Sequence, residues 1–137
     1  MLTIDDDTKA ACERTADRLL RDIKGARAVI VTTGDGLPLA CRVGPEDDPA
    51  RLAAVAGSLA ALGDLGSTEA RLGTCRHVCI EADGGHVVLC QARSERLDVV
   101  VCVSGGTGSG LGQMLYTTRQ HASRLATLLQ ATETVAS

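Results

Sequence analysis

The sequence predicts an α+β domain, a five-stranded antiparallel sheet with helices on both faces, in the order helix, two strands, helix, three strands, helix. Three observations carry this reading. Ala28 to Val43, AVIVTTGDGLPLACRV, is a pair of apolar runs around a Gly-Asp-Gly turn. CRHVCIEA and HVVLCQAR flank Asp83-Gly84-Gly85 in the same way, and three other stretches repeat apolar residues at helical spacing. With Asp35 and Gly36 central in the first turn, Thr32 lies opposite Leu39 and Ile30 opposite Cys41. The first strand is then apolar on both sides, so both sheet faces need cover.

The first helix is expected from about Asp7 to Lys24, with Cys12, Ala16, Leu19, Leu20 and Ile23 on its inner face. Asp6 and Asp7 supply its N-cap and complement the helix dipole, and Gly25 stops it. After the hairpin, Asp48-Pro49 reads as an N-cap with proline at the first helical position. Leu52, Val55, Ala56, Leu59 and Leu62 form the apolar stripe of that second helix. The rest of it is small, with Ala53, Ala54, Gly57, Ala60, Ala61, Gly63 and Gly66, so it is apolar nearly all round and suited to packing against a second helix as well as the sheet.

The second hairpin, read with Gly84 and Gly85 central, places Cys79 opposite Cys90, and LDVVVCVS from Leu97 to Ser104 is the fifth strand. The last helix runs from about Ser109 to Gln130. The chain thus divides into a tail at 1–6, one domain at 7–130 and a frayed tail at 131–137.

Composition narrows the function. The chain has 137 residues, no Trp, no Phe, only Tyr116 and a net charge of -3, which argues against nucleic acid, whose binding uses aromatic platforms and basic grooves. No apolar run matches a membrane span, and MLTIDDDTK is acidic where a signal peptide is basic, so a cytoplasmic protein is expected. The six cysteines are read as reduced, mostly buried thiols.

The candidate chemical sites are weak. Gly105 to Gly112 lies between a strand and a helix but lacks the lysine of a Walker loop and the spacing of a dinucleotide loop. Cys75, His77 and Cys79 share one strand face with Cys90 across from them, yet no CxxC turn is present to wrap a metal, so neither metal nor cofactor is expected. His86 and His121 stand isolated, and no nucleophile has an evident base. No catalytic residue is assigned. The surplus apolar surface of the second helix is what asks for a function.

The order of elements, the GDGLPLA turn, the alanine-rich helix and the ending SGLGQMLYTTRQHASRLATLL resemble the roadblock/dynein light chain superfamily over Asp7 to Leu129. The resemblance implies a profilin-like sheet with the second helix on one face and the first and last on the other. It implies a homodimer in which the strand carrying Cys75, His77, Cys79 and Glu81 pairs with its mate and the second helices pack side by side. It also implies a non-enzymatic partner of a small Ras-like GTPase, as regulator or as scaffold. The partner-facing positions, chosen by exclusion from the apolar stripe, are Arg51, Ala54, Gly57, Ser58 and Ala61. The glycine-rich entry to the last helix departs from the family pattern.

Overall fold

The computed structural model describes residues 4–136, and the side chains of 4–131. Helix α1 spans Asp6–Asp22, β1 Ala26–Thr33, β2 Pro38–Arg42, α2 Pro49–Glu69, β3 His77–Ala82, β4 Gly85–Arg93, β5 Asp98–Gly106 and α3 Leu111–Ala136. The strands form one antiparallel sheet in the order β2-β1-β5-β4-β3. Element types and order are those expected from the sequence. Pro38, which has no N–H to give a ladder, opens an edge strand.

The N-cap of α1 is Asp5, one residue before the expected pair; its carboxylate accepts from the Thr8 N–H at 2.7 Å, while Asp6 and Asp7 occupy the first turn. Gly25 follows the helix with a φ of +82°, the left-handed conformation that suits glycine. The backbone of α3 is helical through the segment expected to fray, up to Ala136; the side chains of 132–136 lie outside the described residues, as do residues 1–3 of the expected N-terminal tail.

Both hairpin registers need correction. In the first, Gly34, Asp35 and Gly36 form a three-residue loop: the Thr33 N–H donates to the Leu37 carbonyl at 2.9 Å, the Gly36 N–H to the Thr33 carbonyl, and Gly36 takes a φ of +92°. Thr32 therefore pairs with Pro38 rather than Leu39. A register shift between Val31 and Thr32 then restores the expected Ile30–Cys41 pair. In the second hairpin Asp83 and Gly84 are central and Ala82 pairs with Gly85, so Cys79 faces Val88 and Cys90 faces His77. The cause lies on the neighbouring strand. A Cβ at Gly85 would overlap the Gly105 carbonyl of β5, so this glycine is spent on close strand approach rather than on the turn.

Helices α1 and α3 cover one face, where Cys12, Ala16, Leu19, Met114, Leu125 and Leu129 meet Val29, Val31, Val88, Cys90, Val99, Val101 and Val103. Helix α2 covers the other, with Ala56 and Ala60 against Leu89 and Val100. His121 is not isolated: it is buried, and its Nε2 donates to the Asp22 carboxylate at 3.0 Å, tying α3 to the end of α1. The glycine run before α3 also has a packing role. Ser109 is buried with its hydroxyl donating to the Lys24 carbonyl at 2.7 Å, and a Cβ at Gly25 or Gly105 would collide with that hydroxyl.

Candidate interaction surface

Helix α2 starts where the sequence says it should. The Asp48 carboxylate accepts from the Arg51 N–H at 3.3 Å and Pro49 is the first helical residue. At the other end Arg71 adopts a φ of 59°, with its N–H donating to the Thr68 carbonyl and that of Leu72 to the Ser67 carbonyl, a Schellman closure on a non-glycine residue. Between them Asp64 accepts from Gln91 Nε2 at 3.1 Å and from the Arg93 guanidinium at 2.9 Å, which fastens the helix to β4.

The face that α2 lays on the sheet is not its leucine stripe. Ala53, Ala56, Gly57 and Ala60 are the buried positions, spaced as i, i+3, i+4 and i+7. Small residues let the backbone come close: a Cβ on Gly57 would sit 3.0 Å from the Gly36 nitrogen and 3.1 Å from the Gly34 carbonyl oxygen. On the opposite flank Gly63 approaches Val78 of β3. Close approach by the small face turns the large side chains outward. Of the expected core stripe only Ala56 is buried; Leu52 and Leu59 are half-buried, Val55 is 49% exposed and Leu62 61% exposed, and Leu65 joins them at 55%.

Arg51, Ala54, Ser58 and Ala61 are exposed, as the expected partner surface requires. Gly57 is not: it is buried beneath the first hairpin loop, so it cannot meet a partner. On β3, Cys79 and Glu81 are exposed and His77 is half-buried; Cys75, expected on the same strand, lies two residues before it and is half-buried. This strand is the edge of the sheet, with backbone groups open to a further strand on its outer side. Between α2 and the sheet lies an apolar groove of about 140 Å³, where Leu52, Val55 and Leu59 face Ile30, Ile80, Val87 and Cys102. The sequence signal for that groove was the helix's lack of charge, which did not say which side would stay open.

The thiols offer little chemistry. Burial pushes Cys12, Cys90 and Cys102 up to about 12, and burial followed by the Glu81 charge raises Cys79. With Cys90 displaced from Cys79, the described residues hold no group of three or more His, Cys, Asp or Glu side chains placed for a metal ion. All six cysteines are free. No described helix is long and apolar enough to cross a membrane.

Comparison with known proteins agrees with this architecture. Curated proteins yield no match. A Roadblock/LC7 domain from Streptomyces avermitilis superposes with a TM-score of 0.75 at 19% identity, covering 85% of this chain and 96% of that one. A structure described as MglB with tetrameric arrangement gives 0.77 at 17% identity, with 93% of each chain covered. Myxococcus xanthus MglB gives 0.74 at 14%, covering 98% of this chain and 96% of that one. At these identities the likeness is one of fold. The family model for the Roadblock/LC7 domain matches residues 14–101, from within α1 to within β5, and the chain therefore belongs to the Roadblock/LC7 family.

Proposed function

We propose that this chain is a cytoplasmic, non-enzymatic homodimeric module that regulates or scaffolds a small Ras-like GTPase. One observation carries the proposal: α2 seats its alanines on the sheet and turns Val55, Leu62 and Leu65 to solvent, an arrangement that leaves apolar area to be buried by another molecule. Two strips result. Leu52, Val55 and Leu59 line the apolar groove and the exposed Leu62 extends their strip along α2, and this strip suits a second copy whose own β3 extends the sheet. Arg51, Ala54, Ser58 and Ala61 remain on the outer surface and on the flank nearer the first hairpin, which suits the GTPase. Membership of the family supports this division of roles.

The test separates the strips. A Val55→Glu, Leu62→Glu double variant is expected to be monomeric by light scattering with its helix content intact, because two charges would face the apolar strip of the mate. Ala61→Glu is expected to remain dimeric and to weaken binding of a Ras-like GTPase encoded beside this chain. Binding measured with that GTPase in its GDP and GTP states decides between regulator and scaffold, since a regulator must tell the states apart. A dimeric double variant, or a GTPase bound equally well by Ala61→Glu, would count against the assignment.

A further inference from the structure

We propose that in the homodimer the acidic end of one copy's β3–β4 hairpin, Glu81 and Asp83, seats in an arginine-lined groove of the other copy, where Arg76 and Arg119 fix the antiparallel register of the β3 seam. The proposal rests on the dimer reading above and adds what holds the two edges in line. A groove of about 560 Å³ runs between α3 and the start of β3, with Arg76, Arg93 and Arg119 around it, Tyr116 and Gln120 along α3, and no carboxylate in its lining. In a chain of net charge -3 such a concentration of arginine stands out. Arg93 is held by Asp64, but Arg76 and Arg119 have no carboxylate within ion-pair distance among the described residues.

The opposite end of the same strand has the complementary charge. Glu81 and Asp83 are exposed, and neither is in an ion pair among the described residues. Two identical edge strands that pair antiparallel about a two-fold axis put the end of one β3 beside the start of the other. Opposed residues must also share a sheet face, so each Glu81 falls against an odd-numbered position of its mate's strand, His77 or Cys79. The face is the correct one: Glu81 pairs with His86 and alternates in step with Val88 and Cys90, which pack towards α3, and Cys90 lines the groove. The four charges then do for the seam what flanking charges do for a coiled coil, favouring one alignment and opposing slippage.

Charge reversal tests it on the intact chain. Arg119→Glu and Glu81→Arg are exposed on the monomer, so each is expected to keep the wild-type thermal transition at monomeric concentration. In analytical ultracentrifugation each is expected to raise the dimer dissociation constant roughly tenfold or more. The double variant, which restores opposite charges with the positions exchanged, is expected to recover most of that loss. Wild-type association should weaken as salt rises. A dimeric wild type indifferent to both reversals, or a double variant no tighter than the singles, overturns the clamp and leaves the dimer standing. A monomeric wild type overturns both.

Discussion

The two faces of the sheet are closed by different means. On one, α1 and α3 bring Leu19, Met114, Leu125 and Leu129, none more than 2% exposed, against a wall of valines. On the other, a single helix brings Ala53, Ala56, Gly57 and Ala60, and Ile80, Val87 and Cys102 stay partly open beside it. Burial stabilises in proportion to apolar area, about 25 cal/mol per Å², so an alanine contributes a fraction of what a leucine does. The first face is finished within the chain. The second has leucines in reserve, and they point outward, which is the state expected of a surface completed by another molecule.

Truncating a leucine on each face gives the largest test of that contrast. Leu125→Ala is expected to lower unfolding free energy by about 3 kcal/mol, the middle of the range for a fully buried leucine. Leu62→Ala, at a position 61% exposed, should change the monomer by less than about 0.5 kcal/mol while weakening association. Urea unfolding at a concentration where the monomer dominates reads both. Equal losses at the two positions would mean that α2 is packed as deeply as α3.

A sharper version concerns how closely α2 lies on the sheet. Gly57→Val adds side-chain atoms where even a Cβ meets the Gly36 nitrogen at 3.0 Å, and overpacking of this kind costs about 1–3 kcal/mol. Ala61→Val, one turn away on an exposed position, should be near neutral. The comparison is made in urea midpoints. Similar values for the two would show that the first hairpin loop yields easily and that the small residues are not needed for close approach.

Much of this was legible in the sequence, and the failures have definite causes. Asp48-Pro49 set the start of α2 because capping is local chemistry, and Asp35-Gly36 set a turn for the same reason. The second turn was misplaced by one residue because Gly85 answers to Gly105 on a different strand, a contact that no local pattern carries. Likewise the burial of Gly57 depends on Gly34 and Gly36, brought over it by the hairpin. The leucine stripe does not mark the inner face, because closeness to the sheet, which only small residues permit, decides what α2 buries. The tie between His121 and Asp22 spans most of the chain and left no trace in the spacing of either residue.

That tie gives the smallest effect, and it belongs to the finished face. The Arg21 guanidinium and then His121 hydrogen-bond the Asp22 carboxylate and hold its pKa below the ordinary 3.8. A carboxyl whose folded pKa is depressed contributes stability that is fully present above the unfolded value and lost as pH falls through the folded one. Wild-type unfolding free energy should therefore decline as the pH drops below about 4, and in Asp22→Asn that part of the decline should be missing. Asp22 is exposed, so the change in slope should be slight, and denaturant midpoints across the acid range are the measurement. The dimer should be indifferent to the substitution, because the pair joins α1 to α3 and neither Asp22 nor His121 lines the arginine groove or the apolar one. A variant that altered association and left the acid limb unchanged would break the separation between contacts that set stability and surfaces that set partnership.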